Sequence, residues 1–233
     1  MLLSIDTSTL TLSLGLVVRS SNGAIQVIEH FNSGPPKKQS EMLPGAIRDL
    51  ISRHGIALSD LKGIAIGLGP GSFTGLRIGL ATAKGISYAA RLPLVGVSSL
   101  AAVASEGPEG SLLIPTAPAR QGELYIGEYR RHAESVEAVG PERAVTLGDL
   151  ADLLRRSPQA VALGPGVAAY QEPLRILGVV DRQILPQPLF PSAVAIALLA
   201  PPLQDYDADS IFAMEPHYIR LSPPENAALP PNS

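Results

Sequence analysis

The chain has no cysteine and no tryptophan among its 233 residues. Without thiols it can form no disulfide, no thiol nucleophile and no thiolate metal site, which fits a reducing compartment. Aromatic residues make up only 4%, so there is little surface on which nucleobases could stack. Charge is scarce too, at 17% of residues against roughly a quarter in most soluble proteins. A net charge of −3 gives no basic field for a phosphate backbone and argues against stand-alone nucleic-acid binding. Apolar runs break well short of the ~20 residues that a membrane-spanning helix requires. No positive region precedes the apolar run after Met1, so no signal peptide is read. The expectation is a cytoplasmic protein with no membrane attachment. The four histidines, His30, His54, His132 and His217, are scattered, and no metal site is expected from them. A Gly-x-Ser-x-Gly elbow is missing, and Ser72 has no indicated base, so a peptidase reading is weak.

What is present is a chain that is 45% hydrophobic, with 22 glycines and 22 prolines. It can bury a sizeable core, and its turns are abundant. Leu2 to Ile5 reads as a short strand that ends in Asp6-Thr7-Ser8-Thr9. Leucines at 12, 14 and 16 alternate with small residues, which predicts a half-buried strand over Thr11 to Val18. Ser21-Asn22-Gly23 signals a turn, and Ala24 to Phe31 a third strand. After the break at Gly34-Pro35-Pro36, Leu43, Ile47, Leu50 and Ile51 recur at helical spacing over Ser40 to His54. A buried strand over Gly63 to Leu68, a helix over Phe73 to Ala90, a strand over Leu94 to Val97 and a short helix capped by Ser98 complete the first half. Three strands followed by helix, strand, helix, strand is the ribonuclease H-like order. The second half repeats it in weaker form, with strands from Leu112 and around Glu123 and Glu134, and helices over 147–156, 167–177 and 192–199. Short strands at Ala160 to Leu163 and Gln183 to Leu185 fall between those helices. The expectation is an α/β protein with lobes at 1–105 and 106–221 and a proline-rich, disordered tail at 222–233.

Three segments could carry chemistry. A carboxylate followed by hydroxyls, as in Asp6, Thr7, Ser8 and Thr9, can hold a hydrated metal ion and donate to a phosphate; the alternative is an ordinary polar turn. The glycine-rich turn Gly67 to Ser72 joins a strand to a helix, where Gly69, Gly71 and Ser72 could face an anion. It is no P-loop, because no Lys follows at the required place, and spacing alone favours a rigid connection capped by Ser72. The following helix has two stripes of small residues, Gly75, Gly79 and Ala83 on one and Ala81, Gly85 and Ala89 on the other. Each interior glycine costs a helix about 1 kcal/mol relative to alanine, so close approach of another backbone is indicated. One stripe is expected to pack on the chain's own sheet, leaving the other for a neighbour.

Ile5-Asp6-Thr7-Ser8-Thr9 and the string Gly69-Pro70-Gly71-Ser72-Phe73-Thr74-Gly75-Leu76-Arg77-Ile78-Gly79 resemble the TsaB (YeaZ) family. The likeness continues through Ala83-Lys84-Gly85 and Val97-Ser98-Ser99-Leu100, and more loosely through Ala119 to Tyr125 and Pro216 to Arg220. The resemblance implies two ribonuclease H-like lobes of the actin and Hsp70-like (ASKHA) class. It implies a non-catalytic subunit that pairs with TsaD, together with the ATPase TsaE, in forming threonylcarbamoyladenosine in tRNA. It further implies no cofactor of its own, with ATP or ADP at most at the partner junction, and only indirect contact with tRNA; for the chain alone both a homodimer and a monomer stay open. On this resemblance the partner interface falls on Gly75, Leu76, Gly79, Thr82 and Ala83 of one helix and Leu43 and Ile47 of the other. Gln39 stands where many members carry His, and Pro118 where the family has Asp before Ala-Arg; both departures point to a scaffold. The competing expectation is an ATP-dependent phosphotransferase built on Asp6 to Thr9, with Gly164-Pro165-Gly166 as an adenosine-side turn.

Overall fold

A computed structural model describes residues 1–19, 25–33, 39–133, 135–185, 187 and 189–219. The expected turn at Ser21-Asn22-Gly23, the break at Gly34-Pro35-Pro36 and the tail 222–233 lie outside those residues. The described residues form a mixed α/β fold with two sheets. Strands β1 (Leu2–Asp6), β2 (Leu12–Arg19) and β3 (Ile25–Ser33) run antiparallel, and β4 (Gly63–Gly67) and β5 (Leu94–Val97) extend the sheet in parallel, in the order β3-β2-β1-β4-β5. In the second sheet β6 (Leu112–Pro118), β7 (Glu123–Arg131) and β8 (Val136–Thr146) are antiparallel and β9 (Ala160–Leu163) joins β6 in parallel, in the order β8-β7-β6-β9. Pro141 falls in β8, an edge strand, where a missing amide costs no ladder bond on the open side.

One face of the first sheet is covered by α1 (Gln39–Arg53) and α2 (Phe73–Ala90). Leu43, Ile47, Leu50 and Ile51 point inward from α1, as their spacing predicts. Helix α2 begins where Ser72 accepts a bond from the Gly75 amide, and it ends at Arg91 in the left-handed region. In the second sheet, α4 (Leu147–Arg156) opens on a capping box in which Thr146 and Asp149 satisfy each other's backbone amides. The helix expected over 167–177 is two pieces, α5 (Pro165–Ala169) and α6 (Gln171–Ile176), with the break at Tyr170 just before Pro173. The strand expected at Gln183–Leu185 shrinks to one parallel bridge, Ile184 to Ala162, after a 3₁₀ turn at Asp181–Gln183.

Helix α3 (Ser99–Ser105) lies between the two sheets. Its Ala102 packs with Ala65, Val95 and Val97 of the first sheet, while Leu100, Val103 and Ala104 pack with Leu113, Tyr129 and Leu163 of the second. The chain then returns. Helix α7 (Ala193–Leu199) packs on β1 and β2, where the Ala193 amide donates to Ser13 Oγ at 2.8 Å. Helix α8 (Ala208–Ala213), which no sequence signal predicted, packs on α2. A division at residue 106 therefore follows the chain but not the packing of these last two helices.

Candidate functional site

The end of β1 meets the glycine-rich turn because β1 and β4 are parallel neighbours, with Ile5 beside Ile66. Asp6, Thr7 and Ser8 are buried, and Thr9 is 8% exposed. Asp6 Oδ1 accepts from the Ser8 amide at 2.9 Å and from Ser8 Oγ at 2.7 Å, while Oδ2 accepts from Ser99 Oγ at 2.7 Å. Burial pushes the Asp6 carboxyl above the usual carboxylate range, and the bonds from Ser99 and Ser8 offset this only in part. Ser99 Oγ also accepts from the Gly69 amide at 3.1 Å. A Cβ at Gly67 would stand 1.9 Å from Asp6 Oδ2, so only glycine fits beside this carboxylate.

The hydroxyls act on α2. Thr7 Oγ1 donates to the Gly75 carbonyl at 2.9 Å, and a Cβ at Gly79 would stand 2.1 Å from the same oxygen. The Ser72 amide donates to the Ser8 carbonyl at 2.7 Å, and a Cβ at Gly71 would lie 2.1 Å from that carbonyl. Gly69 has φ +96° and precedes a cis Pro70. Asp6, Thr7, Ser8, Gly69, Gly71 and Ser72, read in the sequence as two separate segments, thus come together through the pairing of β1 with β4. Their polar atoms are turned on one another, and the knot fixes the start of α2 against the sheet.

Most of the expected interface residues lie inside the chain. Leu43 is 0%, Ile47 3%, Leu76 2% and Ala83 0% exposed, and Gly75 and Gly79 face Thr7. At Gly79 the stripe is small because Thr7 at the tip of β1 needs the space; only Thr82 among the seven reaches the surface. The other stripe faces outward: Ala81, Gly85 and Ala89 are exposed, and nothing approaches within 4 Å of a Cβ at Gly85.

The second sheet carries a smaller version of the knot. Thr116 Oγ1, buried at the end of β6, donates to the Leu163 carbonyl at 2.9 Å and accepts from the Val167 amide at 2.7 Å. Gly164, at φ +100°, makes the turn into α5.

A third cluster was missed by the sequence reading. Glu142 of β8 accepts from Tyr129 of β7 at 2.5 Å and from Ser98, the residue that caps α3. Burial and the Glu142 charge push the Tyr129 phenol well above its usual range. The one sequence signal was Ser98 itself, read as a cap. Among the described residues no three His, Asp or Glu side chains gather as a metal site, and no helix is long and apolar enough to cross a membrane.

The family model described as TsaD, tRNA N6-adenosine threonylcarbamoyltransferase, matches residues 36–171. The chain is 37% identical over 147 residues to the tRNA threonylcarbamoyladenosine biosynthesis protein TsaB of Escherichia coli K12, a match spanning 59% of this chain and 61% of that protein. It is 29% identical over 227 residues to the TsaB of Bacillus subtilis 168, spanning 96% of each. The chain belongs to this family, on its TsaB (YeaZ) branch. The structure titled YeaZ from Pseudomonas aeruginosa superposes on it with a TM-score of 0.66 at 26% identity, over 85% of this chain and 89% of that one. Relative to the TsaB branch, the knot at the tip of β1 is built from the same segments that carried the resemblance, Ile5 to Thr9 and Gly69 to Gly79.

Proposed function

We propose that this chain is a non-catalytic subunit that supports TsaD in forming N6-threonylcarbamoyladenosine in tRNA. The observation that carries the reading is the closed tip of β1. An ATP-dependent phosphotransferase needs a carboxylate and hydroxyls free to meet a metal or phosphate at this place. Here both oxygens of Asp6 and the hydroxyl of Thr7 are engaged within the chain. Membership of the TsaB branch, whose named relatives belong to threonylcarbamoyladenosine biosynthesis, supports the pathway.

In this proposal the two sheets are the cores of ribonuclease H-like lobes of the actin-like class, and the strand order β3-β2-β1-β4-β5 supports that reading. The partner surface is the outer stripe of α2, Ala81, Gly85 and Ala89, with Thr82 beside it. The same stripe serves a homodimer when the chain is alone. ATP or ADP sits at the partner junction, TsaE joins there, the tRNA is left to TsaD, and the assembly works in the cytoplasm.

The test is Ala81→Trp and Gly85→Trp, which enter open space. Calorimetry with TsaD should give an affinity at least tenfold weaker than wild type while thermal melting is unchanged. Modified adenosine should form in the reconstituted system only when this chain is present. Undiminished affinity in both variants would sink the interface, and full activity without the chain would sink the subunit role.

A further inference from the structure

The Glu142 cluster joins three parts of the molecule that are far apart in the chain. Glu142 and Tyr129 belong to the second sheet. Ser98 follows β5 of the first sheet and caps α3. His217 belongs to the segment after α8, and its amide donates to the Leu68 carbonyl at 2.8 Å, beside the glycine-rich turn. The Glu142 side chain is only 7% exposed. Its Oε1 takes the two hydroxyl bonds; its Oε2 is enclosed and receives no hydrogen bond from the described residues, and His217 Nδ1 lies 2.8 Å from it at ion-pair distance. A buried carboxylate is costly unless its partners stay in place, so each partner that leaves exposes the cost. Room for the cluster is kept by Gly127, where a Cβ would stand 2.4 Å from the Tyr129 ring and 3.4 Å from Glu142 Cγ.

We infer that Glu142 is a bolt between the sheets. It fastens the second sheet to the cap of α3 and to the His217 segment, directly above the apolar contact that α3 makes with both sheets. The pair of sheets is therefore held as one closed body and does not open and shut. The inference stands apart from the partner role, since it concerns the free chain.

The absence of cysteine makes the test direct. Spin labels on Ser52→Cys in α1 and Arg156→Cys in α4, both exposed, report the distance between the two sheets. The otherwise unaltered chain should give one narrow distance, unchanged by magnesium and ATP. Glu142→Ala should add a second, longer population. If that variant does not melt cooperatively, Glu142→Gln takes its place; it should show the longer population at a smaller fraction, because its carbonyl still accepts from Ser98 and Tyr129. His217→Ala should leave the label distance alone and speed exchange of the residue 217 amide at least tenfold. Two distances in the otherwise unaltered chain would overturn the inference. So would a single unchanged distance in the folded Glu142 variant, or unaltered exchange in His217→Ala.

Discussion

The tips of the two central strands solve one problem in different ways. In parallel pairing with the neighbouring strand, Asp6 of β1 falls at the place that Thr116 occupies in β6, and Gly67 at the place of Gly164. Each side chain is buried, but only Thr116 bonds to the segment that starts the next helix; Asp6 bonds to Ser8 and to Ser99 at the start of α3. In the first sheet the work is divided: Asp6 holds Ser8 and Ser99, Thr7 holds Gly75, and an 18-residue helix follows. In the second sheet one hydroxyl holds both Leu163 and Val167, and the helix that follows is five residues long. The larger knot goes with the longer helix, and it contains a titratable group that the smaller one lacks. The difference suggests that the first tip is specialised for placing α2, and the second for no more than closing its own turn.

Breaking the first tip should have the largest effect. Gly79→Val forces a side chain onto Thr7 Oγ1 and should cost roughly 3 kcal/mol or more in chemical denaturation. The two hydroxyls can then be compared directly. Thr116→Val leaves the buried Val167 amide without its acceptor and should cost about 2–3 kcal/mol, whereas Thr7→Val removes a single donor and should cost about 1 kcal/mol. Equal costs would mean that the first tip shares its load differently from the bonds described.

The titratable group gives the third contrast. Asp6 has a raised pKa in the folded chain, so the native state binds more protons than the unfolded state between the ordinary carboxylate value and the raised one. Stability from this group is therefore lost as pH rises through that window. Asp149 and Asp207, lowered by their bonds from Thr146 and Ser210, act in the opposite sense. Subtracting the melting curves of Asp6→Asn from those of wild type isolates the Asp6 contribution. The variant should gain on wild type as pH rises, and Thr116→Val should show no such trend. The smallest effect is expected on the outer side of α2, where Gly85→Ala meets nothing and should add up to about 1 kcal/mol. A loss there would place an unseen contact on the outer stripe.

Much of the fold was legible because its signals are local. Leucines alternating through β2, apolar residues at helical spacing in α1, and Ser72 before a glycine-interrupted helix each report their own element. The two segments of the site were legible one by one, Asp6 to Thr9 and Gly69 to Ser72, but their meeting comes from the pairing of β1 with β4. Their purpose was not legible, because it depends on which small stripe of α2 faces inward, and two stripes of equal quality were written in the chain. The Thr7 hydroxyl, 68 residues before the carbonyl it holds, decides between them. Leu43 and Ile47 show the same ambiguity, since a helix face that is apolar enough for a partner is also apolar enough for the core. Glu142 lay beyond reach because none of its three partners is near it in sequence. Helix α8 was missed since it is six residues long and buries only Ile211, too little for a periodic face; Lys84 donating to the Phe212 carbonyl and the Tyr88 and Phe212 rings add to its hold on α2.

The return of α7 to β1 and β2 has a bearing on how the chain is made. The first sheet begins at Leu2, yet the Ala193 amide that bonds to Ser13 Oγ lies 180 residues away. At ordinary rates of translation the stretch from 105 to 199 takes roughly 5 to 20 s to emerge. Through that interval the side of the sheet that carries Ala65 and Val95 waits without its cover of Ala195 and Ile196. The nascent first sheet is therefore a client for whatever shields apolar surface at the ribosome, and it becomes a finished body only once Ala193 to Leu199 have emerged.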